Sequence, residues 1–249
     1  MTNPEPDHRM LQAIDTLYNI RDLGGHPTQH GQKTQFFRFV RSDAPVRLSQ
    51  SDQERLLSYP IRHIIDLRSL NEVNQQPNSL KDHPLVQYVH IPLLGPSLEQ
   101  DMMRLQKDQE KDIELVDLYL YILDHSKPAV ARVLKTMLGA KEGAVLFHCT
   151  HGKDRTGLIA ALLLSLAGVD KETIVSDYSL SESKLQPWFD TFIHNIPKAD
   201  RRFFTTPARY MEQTLKHIEE QYGSIEEYLR LCGLSQKEQS LLKKRLLDS

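Results

Sequence analysis

The sequence has few cysteines and no long hydrophobic run. Its two cysteines, Cys149 and Cys232, are too few to form a disulfide framework in a chain of 249 residues, so we expect both to be free thiols. The longest apolar segment, residues 158–169, contains Ser165 and is shorter than the ~18 residues that a membrane-spanning helix needs. This segment is typical of a buried helix, and we expect no stable insertion into a membrane.

The N-terminal residues are acidic, contain proline and lack the apolar core of a secretory signal peptide. We therefore expect a cytoplasmic protein, with export by another route left open. Neither sign of charge dominates, since 31 basic and 33 acidic residues give a net charge of -2. That balance predicts no nucleic-acid partner, but it leaves room for a local basic pocket.

The chain also lacks internal repeats and linker-like runs, and its 11 glycines and 13 prolines exclude collagen-like or low-complexity sequence. Apolar residues make up 39% of the chain, which is ordinary for a folded globular protein. We therefore expect a single domain over residues 1–249.

Short β-type runs alternate with longer helical patterns. Strands are predicted at residues 36–40, 62–67, 86–93 and 144–147. Helices are predicted at residues 49–57, two or three times within 98–138, from 158 to Gly168, and at 171–180, 206–221, 225–232 and 236–247. This alternation predicts an α/β fold with a central, largely parallel sheet flanked by helices. Ligands bind such sheets at the carboxyl ends of the strands.

One strand end carries most of the chemistry. The predicted strand 144–147 leads into H-C-T-H-G-K-D-R-T-G at residues 148–157, and an apolar helix follows. The amides of such a loop and of the helix N-terminus lack intrahelical partners, and the helix dipole adds positive charge there. Arg155 can grip a phosphate with two parallel hydrogen bonds, and Lys153 adds a second cation. The predicted phosphate-binding residues are Thr150, His151, Gly152, Lys153, Asp154 and Arg155.

Cys149 lies at the base of this predicted anion site. The positive field favours the thiolate over the thiol, and a thiolate beneath a bound phosphate is a nucleophile in line with phosphorus. The implied reaction is transfer of the phosphoryl group to Cys149, followed by hydrolysis of the phosphocysteine. Arg155 and the loop amides neutralise the transferred charge, so we expect no metal and no other cofactor.

Several other functions for the loop at residues 148–157 agree less well with the sequence. His148, Cys149 and His151 resemble part of a metal site, but a structural zinc site needs four ligands and no second pair is near. No Walker-type motif occurs. A phosphate-binding module without turnover would be favoured by loss of Cys149 or Arg155, and both are present. An arsenate reductase needs resolving cysteines, whereas Cys232 is typical of a small core residue.

The motif H-C-x5-R-T-G at residues 148–157, together with N-I-R-D-L-G-G at residues 19–25, resembles the bacterial tyrosine/lipid phosphatase branch of the cysteine-dependent protein tyrosine phosphatase superfamily. Further matches are Arg41-Ser42-Asp43, Asp66-Leu67-Arg68-Ser69 with Glu72, Asp177-Tyr178 with Ser181, and the segment 222–234. The resemblance implies a protein tyrosine phosphatase-like fold over nearly the whole chain.

The resemblance also implies roles for individual residues. Cys149 is the expected nucleophile and Arg155 the phosphate clamp. Thr156 is expected to donate a hydrogen bond to the sulfur, and His148 to orient the loop. Asp22 is expected to stabilise a turn that ties the N-terminal loop to the site.

The general acid is open between two carboxylates. Asp154 precedes Arg155 within the signature loop and is the favoured candidate. Asp66 ends a predicted strand near the same sheet edge, and its alternative role is to pair with Arg68 or Arg21. A phosphoinositide-specific enzyme with Asp66 as the acid is therefore the runner-up.

The substrate class is open as well. The resemblance implies activity on phosphorylated proteins or phosphoinositides, and Lys153 suits a substrate with more than one phosphate. His151 is either a pH-sensitive phosphate contact or a packing residue. Two stretches, residues 97–138 and 186–204, are candidate lids or helical insertions. The second combines aromatic residues with Arg201 and Arg202, which is typical of a lid or a substrate wall. Ordinary packing of these helices on the core is the alternative.

Overall fold

The computed structural model describes residues 7–95 and 114–247. A five-stranded sheet forms its centre, with the strand order β1-β2-β5-β3-β4. The strands are β1 (Arg21–Asp22), β2 (Phe39–Ser42), β3 (Ile61–Asp66), β4 (Gln87–His90) and β5 (Ala144–His148). Neighbouring strands run parallel except for β1, which is antiparallel to β2. The predicted α/β fold with a largely parallel sheet is confirmed.

The helices lie where the sequence predicts them, except for a short helix at Leu70–Gln75 that was not predicted. They are α1 (Gln50–Ser58), α2 (Leu70–Gln75), α3 (Leu115–His125), α4 (Lys127–Gly139), α5 (Arg155–Ala167), α6 (Lys171–Phe189), α7 (Ala208–Tyr222), α8 (Ile225–Cys232) and α9 (Gln236–Leu247). Short 3-10 turns span His8–Ala13, Ile193–Asn195 and Lys198–Phe204. Among the described residues, no helix combines the length and the hydropathy that crossing a bilayer requires.

Alternation along β5 builds a core on both faces of the sheet. Val145 and Phe147 pack with the helices α3 to α9 in the larger apolar cluster. Ala144 and Leu146 point to the opposite face and pack with Leu56 of α1 in the smaller cluster. Side chains alternate between faces because successive residues of a strand point in opposite directions. A strand buried on both faces reads as a continuous apolar run, which is why β5 could be predicted from sequence.

The strand register brings the carboxyl ends of the parallel strands to one edge. His148, the last residue of β5, lies opposite Ser42 of β2 on one side and Asp66 of β3 on the other. Asp66 in turn lies opposite His90, the last residue of β4. The chain that leaves β5 at Cys149 therefore emerges between the ends of its neighbours, where the sequence predicts the ligand site.

Some predicted boundaries were wrong. The strand predicted at 36–40 begins at Phe39, because Phe37 adopts a positive φ of 65°. The run predicted at 86–93 forms a strand only over Gln87–His90. The helix predicted at 171–180 continues to Phe189, since Ser181, Leu185 and Phe189 recur every four residues on its buried face.

The two candidate lid segments have different outcomes. Residues 96–113 lie outside the described residues, while the rest of the first stretch forms α3 and α4, which pack into the larger core cluster. The second stretch forms the end of α6 and two 3-10 turns. Whether either segment closes over a ligand stays a prediction.

The core position of α5 leads to a stability prediction. Leu163 is fully buried in this helix, whereas Leu180 in α6 is 46% exposed. Leu163→Ala should lower the free energy of unfolding by about 3 kcal/mol, because it removes buried methyl groups and leaves a cavity. Leu180→Ala is the matched control and should change it by less than about 0.5 kcal/mol. Chemical denaturation monitored by circular dichroism measures both, and equal losses would contradict the assigned burial.

Candidate active site

The loop between β5 and α5 is anchored to the scaffold by its carbonyl groups. The Asn19 side-chain amide donates to the His151 carbonyl at 3.0 Å, and the Arg41 guanidinium donates to the Gly152 carbonyl at 2.8 Å. The Ala44 amide donates to the Thr150 carbonyl at 3.0 Å. Because the N–H and C=O of one planar trans peptide point in opposite directions, the amides that follow these carbonyls face the other side of the loop. They are therefore available to an anion at the N-terminus of α5.

Gly152 permits this close approach. Its φ is +68°, and an added Cβ atom would lie 2.3 Å from the Ser42 carbonyl oxygen. A side chain is excluded there both by the backbone conformation and by the adjacent end of β2.

A buried ion cluster supports the loop from behind. Arg41 lies 2.5 Å from one oxygen of Asp177, and Arg21 lies 2.6 Å from the other. Burial opposes ionisation of Asp177, but the two guanidinium groups hold the pKa of its carboxyl well below the usual range. Burial lowers the pKa of Arg41 to about 10, so Arg41 stays charged at neutral pH. The cluster therefore connects β1, β2 and α6, which contribute Arg21, Arg41 and Asp177, beneath the loop.

Arg155 is oriented by Glu72. Its Nη1 and Nη2 atoms lie 2.7 and 2.8 Å from the two carboxylate oxygens of Glu72. Glu72 also accepts a hydrogen bond from the Thr150 hydroxyl. Burial opposes ionisation of both partners, but this bidentate pair lowers the pKa of Glu72 and raises the pKa of Arg155.

Glu72 belongs to a motif that matches the family pattern, but no role was predicted for it from the sequence. The local signal was present, because Ser69 and Glu72 form a capping box at the start of α2. The same side chain accepts from the Ser69 amide at 2.8 Å and holds Arg155.

Cys149 is 2% exposed at the base of the loop, and His148 precedes it. Nδ1 of His148 is 2.9 Å from the Cys149 carbonyl oxygen, so it carries the proton and donates. Nε2 is 3.0 Å from the Asn78 amide nitrogen, whose own carbonyl oxygen accepts from Leu80. Burial lowers the pKa of His148. The ring fixes the backbone at Cys149, and Asn78 is a supporting residue that was not predicted from the sequence.

Asp66 is fully buried and saturated with hydrogen bonds. It accepts from the Arg68 amide and guanidinium, with distances down to 2.7 Å, and from the Tyr88 hydroxyl at 2.9 Å. Burial opposes ionisation, but His148 and Arg68 outweigh it and lower the pKa of Asp66 to about 2. Of the two partners considered for Asp66, the structure brings Arg68 to it and pairs Arg21 with Asp177 instead.

Asp154 ends the loop and remains partly accessible, with 19% of its side chain exposed. One of its oxygens, Oδ1, accepts from the Lys153 ammonium at 2.8 Å and from the Tyr119 hydroxyl. Burial raises the pKa of Asp154, but Lys153 and the Tyr119 hydrogen bond bring it below the usual value. Lys153 is buried and faces Asp154.

Two further predicted residues have distinct surroundings. The hydroxyl of Thr156 is buried and has no hydrogen-bond partner among the described residues. Asp22 accepts from the amides of Gly24 and Phe37 and from the Tyr59 hydroxyl. Burial raises the pKa of Asp22 to about 6. These partners lie outside residues 148–157, so Asp22 stabilises the turn after β1, while Asn19 and Arg21 of the same motif connect it to the site.

His151 packs in an aromatic cluster. Its ring centroid lies 5.0 Å from that of Trp188, 6.0 Å from Phe189 and 6.4 Å from Phe204. Burial lowers the pKa of His151 to about 4, so the ring is neutral at neutral pH. Of the two alternatives for His151, the geometry favours packing over a charged phosphate contact.

A groove of about 530 Å³ opens beside the loop at Thr150 and His151. Tyr18, Val46, Arg47, Gln76, Leu185 and Trp188 also line it. The part of the chain that the structure describes contains no group of three His, Cys, Asp or Glu side chains that could hold a metal ion.

The buried ion cluster gives a second prediction. Asp177→Asn should lower the free energy of unfolding by about 3 kcal/mol, because it leaves two buried guanidinium groups without their counter-charge. Glu219→Gln is the matched control, since Glu219 and Lys171 form an exposed pair at 2.7 Å and such pairs contribute little. Thermal denaturation compares the two variants, and an unchanged Asp177→Asn protein would show that the cluster does not support the fold.

Comparison with known proteins places this geometry in a family. The model of the tyrosine phosphatase family matches residues 12–248. A tyrosine-protein phosphatase of Nostoc commune is 36% identical over 220 residues, which cover 84% of this chain and 74% of the relative. The triple specificity protein phosphatase PtpB of Mycobacterium tuberculosis is 33% identical to this chain, and the match covers 91% of this chain and 95% of the relative. The family model and both relatives match most of the chain. The chain therefore belongs to the tyrosine phosphatase family.

Proposed function

We propose that this chain hydrolyses phosphate monoesters, with phosphotyrosine as the leading substrate, through a phosphocysteine intermediate on Cys149. The observation that carries the proposal is the anchored loop. Its carbonyls are bound to Asn19, Arg41 and Ala44, which turns its amides toward the space above Cys149. Arg155, at the start of α5, is held by Glu72 and lies 3.4 Å from the hydroxyl of Thr150 in the same loop. Membership of the tyrosine phosphatase family agrees with this chemistry.

The proposed reaction has two steps. In the first, the Cys149 thiolate attacks phosphorus, the bond between phosphorus and the leaving oxygen breaks, and a general acid gives that oxygen a proton. In the second, water attacks the phosphocysteine, the P–S bond breaks, and the former acid accepts a proton from the water. The products are the alcohol or phenol and inorganic phosphate, and the free thiolate returns.

Two contacts support the roles of Arg155 and Thr156. A guanidinium has five N–H donors, and the pair with Glu72 leaves donors free for phosphate oxygens while it fixes the plane of the group. The unpartnered hydroxyl of Thr156 is a suitable donor to the sulfur that leaves in the second step. A buried hydroxyl without a partner costs stability, which a role toward the sulfur explains.

The contacts of the two candidate acids favour Asp154. Both oxygens of Asp66 are bound to Arg68, and the residue is fully buried, so a proton on it could not reach a substrate without breaking this pair. Asp154 is partly exposed, belongs to the loop itself, and has one oxygen, Oδ2, to which the described residues donate no hydrogen bond. We therefore propose Asp154 as the acid.

The groove beside Thr150 supports an aryl phosphate as substrate. Its volume of about 530 Å³ and the side chains of Tyr18 and Trp188 suit an aromatic ring carried by a peptide. Lys153, which would suit a second phosphate, is engaged by Asp154 in the free enzyme. Phosphoserine, phosphothreonine and phosphoinositides are the comparison substrates, and a panel of all four classes decides the preference.

The nucleophile is tested by Cys149→Ser. Turnover should fall by more than about a thousandfold, since a serine hydroxyl is not ionised at neutral pH and a lost nucleophile removes the covalent route. Phosphate binding, measured by calorimetry, should persist because the loop is intact. Chelators should leave the wild type unchanged.

Cys232→Ser is the matched control. Cys232 is also buried, but burial raises the pKa of its thiol to about 11, so this variant should keep full activity. Turnover of Cys149→Ser within tenfold of wild type would contradict the covalent mechanism. A phosphate-binding protein without turnover would instead show binding and no hydrolysis in the wild type itself.

The acid is tested by comparing Asp154→Asn with Asp66→Asn on a series of aryl phosphates. Asp154→Asn should slow substrates with poor leaving groups by roughly 10²–10⁴-fold, and activated ones far less, because a stabilised phenolate departs without a proton. Asp66→Asn should lower stability through loss of the Arg68 pair, without steeper dependence on the leaving group. The opposite pattern would assign the acid to Asp66.

A further inference from the structure

Tyr119 holds the proposed acid from outside the signature loop. It is fully buried on α3, and its hydroxyl donates to Oδ1 of Asp154. The hydroxyl of Tyr178 on α6 lies 2.8 Å from the hydroxyl of Tyr119. A phenol has one proton to donate, and Tyr119 uses it on Asp154. The Tyr178 hydroxyl is therefore the donor to Tyr119, and a chain of two hydroxyls ends on the carboxylate.

Packing fixes the position of this hydroxyl. The Tyr119 ring meets Tyr178 edge-on, with centroids 6.1 Å apart, and Tyr210 of α7 edge-on at 6.4 Å. Three helices therefore define where the donor lies. The backbone of residues 148–157 does not by itself determine the direction of the Asp154 side chain.

We propose that Tyr119, supported by Tyr178, is the positioning residue that aims Asp154 at the leaving oxygen. The inference rests on the proposed function, since it assumes that Asp154 is the acid. Tyr119 and Lys153 both donate to Oδ1. This leaves Oδ2 as the atom that carries the proton and passes it to the substrate. In the hydrolysis step the same oxygen takes a proton from the attacking water.

The charges around Asp154 explain how an acid with a low pKa becomes protonated. The groups that face it are Lys153, Arg155, His151, Tyr119 and Tyr178. In the free enzyme the Lys153 ammonium favours the carboxylate, while neutral His151 adds no charge. A phosphate dianion in the loop attracts Lys153 and brings negative charge near Asp154, and both changes raise the pKa of the carboxyl. Substrate binding therefore favours the protonated form of Asp154, and Tyr119 holds the carboxyl group in the same orientation before and after protonation.

Tyr119→Phe tests the inference, with phenyl phosphate and p-nitrophenyl phosphate as probes. The loss of kcat/KM should be about tenfold greater for phenyl phosphate, because only the poorer leaving group depends on a well-placed acid. The basic limb of the pH profile of kcat, which reports groups in the enzyme–substrate complex, should move to higher pH. The reason is that a hydrogen bond to the charged form lowers a pKa, and its removal raises that pKa.

Tyr228→Phe is the matched control. Tyr228 is also fully buried, and its hydroxyl donates to the Leu123 carbonyl of α3 at 3.1 Å, so this variant removes a comparable hydrogen bond from the same helix. It should show neither the split between substrates nor the shift in pH profile. If Tyr119→Phe fails to fold, Tyr178→Phe removes the supporting hydroxyl and should show a smaller effect of the same sign.

Equal losses on both substrates with an unchanged pH profile would show that Tyr119 is merely structural. That result would contradict the positioning role of Tyr119 but would leave the proposed hydrolysis through Cys149 unaffected. If Asp154→Asn itself shows no dependence on the leaving group, the assignment of the acid fails, and the inference fails with it. The Cys149→Ser result still decides the covalent mechanism in that case.

Discussion

The hydrogen bond from the buried Arg41 guanidinium to the Gly152 carbonyl is the contact on which the site depends. A loop that offers its amides to an anion must turn its carbonyls elsewhere, and the carbonyl of buried Gly152 needs a donor. Arg41 supplies one donor and is itself kept charged by Asp177. Burying these charges is costly unless all partners are present, so the proposed anion site and the ion cluster beneath it form one unit.

This dependence gives a physical reason for motifs that lie far apart in the sequence. Asn19 and Arg21 precede or begin β1, Arg41 belongs to β2, and Asp177 belongs to α6, yet their side chains converge under one loop. Glu72 acts similarly on the other side, where it caps α2 and fixes the plane of Arg155. The loop therefore contains the groups that we propose to be reactive, while their orientation is set by residues that the loop does not contain.

The sequence allowed the fold class, the family and the position of the loop to be predicted, because these depend on short-range patterns. Alternation and apolar runs located β3, β5 and α5, and Gly168 marked the end of α5. The roles of Glu72, Asn78 and Tyr119 could not be predicted in this way. Each acts through a contact with a residue at least 35 positions away, and no local periodicity reports such a contact.

The span of the ion cluster along the chain has a consequence for how the site comes into being. Arg21 and Asp177 are separated by 156 positions, and contacts of such long range are expensive to close early in folding. A growing chain that had emerged only as far as α5 would contain every residue of the signature loop. It would nevertheless lack the carboxylate that neutralises Arg21 and Arg41. The order of synthesis therefore delays the assembly of the ion cluster beneath the loop until α6 has docked, well after Cys149 has been made.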